Sequence, residues 1–551
     1  NGRVSENHAF ECNPSLLNHD QLKVEQGLWA VPNMPQLGGN WKPSRDRPNR
    51  RRLTAPKDRG QWVSNNHRRG VWGCGSTQPG LDWRRRFWRG HEIVRGVIFS
   101  GFPATLALAP LPFASNRPWS WSLLGMIVGL LMLAWAVAAW RDRGLVAVSW
   151  RRVWPFLLMF AVIIGWIVLQ ASPWTPDRWH HPAWAAAAAA LGQPLDGAIS
   201  IDPAMTLAAL MRLLSYGGMF WLALQFGRID AYAGKILWSI AIAGFFYSIY
   251  GMVIEFGDFN RVLWYERWAY SESLTSTFIN RNSFATYAGL CLLATLGLTF
   301  NEFGRGVSND MMSLSGFRWL IEQLTGRLGL LLLMTATIGS ALLLTGSRGG
   351  VASFAAGLLV LSLGFIASPR SRPTVGVVIT AFSALFIAGV MALSGEVVLS
   401  RFDAVSVESQ ERVALYRLTF NAILAEPWIG VGFGTFEVAF PMVRDATITT
   451  DYLVDKAHNS YLEFAFEAGV PAFALMIGLL GGLVALCVHG IRVRRENRLF
   501  PCVGAAAAAL VASHALVDFS IQIPAVAVVF AVLLGVACAQ SLRSHRSSNR
   551  L

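Results

Sequence analysis

From about residue 91 to residue 542 the chain alternates long apolar runs with short polar clusters. Each run is close to the roughly 20 residues a helix needs to cross a bilayer's hydrocarbon. The pattern predicts an all-α polytopic membrane protein with about twelve spans. These begin near Ile93, Trp119, Val153, Pro203, Gly234, Ser283, Arg327, Gly350, Pro373, Val470, Leu499 and Pro524. Nine spans fill 91–394, a large loop occupies 395–469, three spans fill 470–542, and 543–551 form a short tail. "AWAAAAAALG" (Ala183–Gly192) is too short to cross and is expected as an interfacial helix or loop. Within the large loop, "VALYRLTFNAILAEPWIG" has a helical period that stops at Pro427, so part of this loop folds.

Composition agrees with a lipid solvent. The chain of 551 residues is 53% hydrophobic and 15% charged, against about 25% charged for soluble domains. Net charge is +14, much of it in residues 1–90, where "RDRPNRRRL" and "DWRRRFWRG" stand among Pro, Gly and Asn without period. That region is expected to be disordered or to act as a basic arm; it has no signal-peptide pattern, and nucleic acid is not an expected partner. The six cysteines lack CxxC spacing, so neither a disulfide framework nor a zinc site is expected.

Basic residues set an orientation. Arg141, Arg143, Arg151 and Arg152 lie in one connection. Alternate later connections hold Arg228 and Lys235; Arg305, Arg318 and Arg327; Arg370 and Arg372; and Arg492, Arg494, Arg495 and Arg498. With twelve spans these share one side, so both termini are expected in the cytoplasm and the large loop outside it.

Three polar stretches then fall at helix ends on the outer side. "STFINRNSFATYAGL" carries Asn280, Arg281 and Asn282. "LLLTGSRGGVASF" carries Arg348 in a tight turn. "KAHNSYLEFAFEAGVPA" carries His458, Asn459 and Tyr461. An Arg at the apolar boundary either snorkels to lipid phosphate or grips a phosphate with its planar fork; both readings stand for Arg348 and Arg281. Ser460 and Glu463 have capping-box spacing, which predicts a helix start and places His458 just outside it. The positive helix end favours neutral imidazole, able to accept a proton, although a turn-forming structural His fits the same spacing. Asp451 and Asp455 read as loop-solvating carboxylates, and His180–His181 as equally weak ligands, so no metal is expected. "GVGFGTF" (Gly430–Phe436) reads as tight turns shaping the loop rather than a nucleotide cradle.

"HNSYLEFAFEAGVPA" resembles the signature of the O-antigen ligase and polymerase superfamily of Wzy-C type. "TFINRNSFATYAGL", "TGSRGG", "ERVALYRLTFNAILAEPWIGVGFGTF" and "VDFSIQIPAVAVVFAVLLG" resemble further family segments in the same order, over about Ile93 to Leu542. The resemblance implies a membrane glycosyltransferase of the C type in the bacterial inner membrane, with a periplasmic active site. It implies transfer of a glycan from an undecaprenyl-diphosphate carrier to a hydroxyl of a lipid A core sugar, a growing polysaccharide or a protein. It further implies inversion at the sugar, with neither metal nor other cofactor. By the same resemblance His458 is the base, with Asn459 and Tyr461 assisting, and Arg348 binds the diphosphate. Arg281, Asn282 and Arg412 are further binding residues. Ligase, polymerase and protein glycosyltransferase remain alternatives. A transporter or flippase of lipid-linked sugars is the non-enzyme alternative; it predicts ionisable residues at mid-helix, for which Arg212 and Glu255 are the main candidates.

Overall fold

The computed structural model describes residues 80–257, 259–267, 269–270, 272–306, 322, 325–367, 376–377, 380–381, 383–385, 389, 407–448, 453–494 and 497–542. The basic region through residue 79, most of the span expected from Pro373, the acidic Asp451 and the tail lie outside them. Within them the chain is helical, apart from a two-residue hairpin in which Arg261–Val262 pairs antiparallel with Tyr265–Glu266.

In chain order the helices are α1 (Gly80–Leu108), α2 (Pro118–Arg141), α3 (Trp154–Gln170), α4 (Pro182–Leu191), α5 (Pro203–Phe226), α6 (Asp230–Phe256), α7 (Arg281–Gly306), α8 (Arg327–Leu344) and α9 (Arg348–Ile366). There follow α10 (Val407–Ala425), the single turn α11 (Phe436–Ala439), α12 (Ser460–Ala468), α13 (Val470–Val493), α14 (Leu499–His514) and α15 (Pro524–Ser541). Several start where proline occupies the first turn, as at Pro118, Pro182, Pro203 and Pro524, where its missing N–H is no loss. Asp202 caps α5 by accepting from Met205 N at 2.9 Å. Helix α1 begins at Gly80, ahead of the apolar start near Ile93 and inside the region expected to be unstructured.

Eight of these helices are long and apolar enough to cross a bilayer: α2, α5, α6, α7, α8, α9, α13 and α15. A ninth is reached if α3 is counted with the 143–152 segment, which meets it at 80°. Two segments expected as spans are shorter, α14 and α1 between Val94 and Leu108, and α4 is a short helix, too short to cross as its sequence predicts. The described residues therefore carry eight or nine of the about twelve expected spans.

Helices α7 and α15 form the centre: their apolar windows are 100% and 94% buried, against 22% for α2 and α13, which face outward. Small residues allow that centre to close. A Cβ on Gly504 would lie 2.2 Å from the Ala537 methyl, so α14 and α15 meet almost backbone to backbone. A second, smaller cluster of Leu415, Ile423, Phe436, Phe440, Ala457 and Phe466 lies in the connection between α9 and α13. That connection therefore has a core of its own, as its helical period predicts.

The two ends of the bundle differ in charge. At one end Arg228 donates to the Ala539 and Leu542 carbonyls at 2.8 and 2.9 Å, Arg494 donates to the Leu542 carbonyl at 2.8 Å, and Asp230 accepts from Asn497 and Gln540. The 143–152 segment joins that end through Gln225, whose amide exchanges two 3.0 Å bonds with the Val148 backbone. The opposite end holds the second core, α4, and the starts of α7, α9, α13 and α15.

Candidate functional site

The site is assembled from helix beginnings. Helix α7 starts where the Asn280 carboxamide accepts from the N–H of Asn282 and of Ser283. Helix α9 starts at Ser347, whose hydroxyl accepts from Gly350 N at 3.2 Å, with Gly346 at φ +60 making the preceding turn. Helix α12 starts at Asn459, whose side chain accepts from Tyr461 N and Leu462 N at 3.0 and 3.1 Å. This corrects the capping-box expectation: the cap is Asn459, not Ser460. Ser460 Oγ instead donates to the Asp518 carbonyl at 3.0 Å, and Glu463 turns away to bond Ala457 N and Lys456.

These three beginnings are tied together. Ser347 Oγ donates to Asn282 Oδ1 at 2.8 Å, and Asn282 Nδ2 donates to Asp518 Oδ1 at 3.0 Å. Ser460 N donates to the Ala515 carbonyl at 2.9 Å. Thr286 and the His514 Nδ1 lie 2.6 Å apart directly beneath. Three positive helix ends thus gather about the 514–518 turn, a place favourable to an anion.

Three arginines accompany them. Arg348 is the first residue of α9 and is exposed; among the described residues no salt bridge holds it. Arg281 opens α7, lies over the Tyr270 ring at 5.4 Å and reaches Ser273 Oγ at 3.3 Å. Its guanidinium stands 3.8 Å from where a Gly346 Cβ would be, beside the α9 start, and its Nε is buried without a hydrogen-bond partner. Arg412, on α10, is close enough to lower the proton affinity of both His458 and Tyr416.

His458 sits between these elements in a constrained backbone. Its φ is +50, a region costly for a residue with a Cβ, by about 1–3 kcal/mol. Two bonds hold it there. Ala457 N donates to the buried Glu463 carboxylate at 2.9 Å, and the Tyr416 hydroxyl donates to the His458 carbonyl at 2.9 Å. The ring stands edge-on to Phe519 at 5.3 Å, and its Nδ1 is buried without a partner. Burial lowers the imidazole pKa below its ordinary 6.5 and Arg412 lowers it further; Asp518, Asp455 and Glu463 oppose both without reversing them. The ring is neutral at pH 7. Unspent polar atoms are uncommon in interiors, and here two, His458 Nδ1 and Arg281 Nε, belong to the same set of residues.

Asn459 and Tyr461 each make a bond that holds α12 in place. The Asn459 oxygen is occupied as the α12 cap, and the Tyr461 hydroxyl donates to the Ala512 carbonyl at 2.8 Å, bracing α12 on α14. The structure adds Asp518, Ser347, Tyr416 and Glu463 as residues that organise the group. Asp518 had a legible signal, an acid in the short polar break "VDFS" between two apolar runs on the side of His458. Glu463 was legible only as a capping-box residue, and Ser347 and Tyr416 had no signal, because their partners Asn282 and His458 are remote in sequence.

The glycine turn 430–436 serves as a buttress. Gly430, Gly432 and Gly434 all have positive φ, in keeping with tight turns. Phe436 N donates to Glu467 Oε1 at 3.0 Å, while Gln170 donates to the Ile429 and Glu467 carbonyls at 2.8 and 2.9 Å and accepts from Phe433 N. Burial, and then the Glu463 carboxylate, push the Glu467 carboxyl up to about 7. Among the described residues no three His, Cys, Asp or Glu side chains gather with the geometry of a metal site. Arg212 stacks on Trp121 at 4.7 Å, and Glu255 pairs with Arg267 at 3.2 Å near the end of α6.

No curated protein matches the chain. Residues 331–477 match the family model described as O-antigen ligase, Wzy_C. The matched region runs from α8 into α13 and so includes Arg348, Arg412 and His458, with the apolar helices packed around them. Residues 331–477 are thus similar to the O-antigen ligase family, within a chain whose described residues carry eight helices long and apolar enough to make it a multi-pass membrane protein.

Proposed function

We propose that this protein transfers a glycan from an undecaprenyl-diphosphate carrier to an acceptor hydroxyl on the periplasmic face of a bacterial inner membrane, with inversion at the sugar. The family match supports a membrane enzyme of glycan transfer. The donor class and the residue roles are our reading of the site. One observation carries it: the beginnings of α7, α9 and α12, the first two opened by Arg281 and Arg348, are bonded together about Asp518, whose charge also acts on the half-buried His458 imidazole.

In this reading the arginines and helix ends hold the diphosphate, whose charge grows as it leaves. His458 takes the proton of the acceptor hydroxyl. That oxygen forms a bond to the anomeric carbon from the face opposite the diphosphate, the anomeric C–O bond breaks, and its electron pair leaves on the carrier diphosphate. Burial, and then Arg412, favour the unprotonated imidazole before the acceptor arrives. The sequence of steps requires alignment of donor and acceptor more than new covalent chemistry. The acceptor class, whether lipid A core sugar, polysaccharide or protein, is decided by surfaces beyond these residues.

The test is single-turnover transfer in membranes loaded with carrier-linked glycan. The wild-type protein should consume the donor and release carrier diphosphate, whereas His458→Gln should bind donor without consuming it. Normal turnover by His458→Gln would remove the base from this account.

A further inference from the structure

Helices α10 and α12 run side by side, and both ends of the pair are tied to helices of the bundle. At one end Tyr416 of α10 bonds the His458 carbonyl, and the adjoining Ser460 N bonds the Ala515 carbonyl just past α14. At the other end Val470 N, opening the membrane helix α13, donates to the Pro427 carbonyl at 2.8 Å, just past α10. A pair anchored at one end beside α14 of the bundle and at the other to the start of the membrane helix α13 lies along the surface of the bundle rather than standing away from it.

One face of α10 is spent on the second core through Ala414, Leu415, Thr419 and Ile423, all buried. The opposite face carries Val413, Phe420 and Leu424, spaced i, i+7, i+11 and therefore in one stripe. They are 67%, 49% and 61% exposed, and Trp428, 71% exposed, continues the line past the helix to the mouth of α13. The stripe also carries exposed Arg417. Trp174, just past the end of α3 at the same face of the bundle, is 88% exposed. Exposed tryptophans at the ends of membrane helices, beside a stripe that is apolar with one cation, match the lipid–water boundary, where indole rings and snorkelling arginines settle.

We propose that α10 is an interfacial helix, with Val413, Phe420, Leu424 and Trp428 seated among phospholipid acyl chains on the His458 face of the membrane. The occupant is bilayer phospholipid. Continuity favours it: the stripe ends at Trp428, beside the junction where the membrane helix α13 begins, so lipid around the top of α13 would reach its last residue. Lipid seating of α10 would also fix the depth of His458, since Tyr416 on the same helix holds the His458 carbonyl.

The test uses the full-length chain reconstituted in vesicles of phosphatidylethanolamine and phosphatidylglycerol. Benzoylphenylalanine is placed at 413, 420 or 424, and at 133, an exposed position within α2, as the reference. After illumination, phospholipid adducts are identified by mass. Adducts at two or more of the three α10 positions, within about three-fold of the yield at 133, are expected. Covalent dimers of the chain at these positions would overturn the proposal in favour of contact between copies. Absence of lipid adducts at all three, with adducts still formed at 133, would overturn it in favour of a solvent-facing helix. In native membranes, adducts dominated by a polyprenyl lipid would instead make the stripe part of the donor's own groove.

Discussion

At the scale of single residues, chemistry follows from where charge is placed. His458 has its pKa lowered below 6.5 by burial and by Arg412, so its proton-accepting form is full at pH 7. The midpoint of any acid-side loss of transfer should therefore lie below pH 6.5; a rate already half lost at pH 7.5 would contradict the assignment. His458→Ala should lower transfer by about 10²–10⁴-fold, read as accumulated carrier-linked glycan at normal protein abundance. Arg348→Lys retains charge and loses the planar fork. Hydrogen bonds to a charged group are worth about 1.5–3 kcal/mol, so a ten- to hundred-fold loss of rate is expected, and wild-type rates in both Arg348→Lys and Arg348→Ala would leave only a lipid-snorkelling role. Glu467 gives a stability signature. Its carboxyl titrates near 7 in the folded chain and near 4.5 once unfolded. The folded state therefore holds the proton more tightly: stability is fullest below pH 4.5, falls as pH rises toward 7 and is level beyond. Glu467→Gln keeps an acceptor for Phe436 N and has no such titration, so its melting temperatures in detergent at pH 5 and pH 8 should differ less than those of the wild-type protein.

At the scale of elements, the site depends on how helices begin and on one sharp junction. Gly469 joins α12 to α13 with φ +81, and a Cβ there would lie 2.5 Å from the Trp428 carbonyl oxygen. Neither the backbone angle nor the space admits a side chain. Gly469→Ala should therefore unfold the second core or move α12 off its seat, seen as rapid proteolysis between residues 425 and 470. Ser347→Ala removes both the α9 cap and the bond to Asn282. Loss of such a cap costs about 0.5–2 kcal/mol, so a lower melting temperature is expected. Because the same hydroxyl aligns two helix beginnings, transfer should fall more than the lost stability alone explains. Helix α12 was legible as a helix start from its spacing, but its cap was misassigned. Asn459 and Ser460 are adjacent candidates of similar local merit, and the competing partner for Ser460, the Asp518 carbonyl, is 58 residues away.

At the scale of the molecule, charge separates the two ends of the bundle. Arg152, Arg228 and Arg494 crowd one another at one end, whereas His458 and the helix beginnings occupy the other. Accessibility reporters at Arg143 and Arg494 should read as cytoplasmic, and one at Asp445 as periplasmic; a cytoplasmic reading at Asp445 would place His458 on the wrong side of the membrane for an exported carrier glycan.

The apolar runs by themselves determined that the chain is helical and membrane-embedded, since a run of that length and composition has few other stable forms in lipid. The sequence also marked which polar clusters stand at helix ends, and its motifs placed Arg348 and His458 in one family pattern. Only the tertiary structure decided which helices are central. Mean hydropathy does not rank them: α13, at 2.3, is more apolar than α7, at 1.5, yet α7 is buried and α13 faces outward, because burial depends on which small residues find a partner helix at the same depth. Tertiary structure alone also decided that Asn282, Ser347, Ser460 and Asp518 form one chain of bonds, and that Tyr461 braces α12 on α14. Local sequence encodes a helix and its ends because those interactions span three or four residues. The convergence of four ends from distant segments is set by packing across the whole bundle, and no local pattern records it.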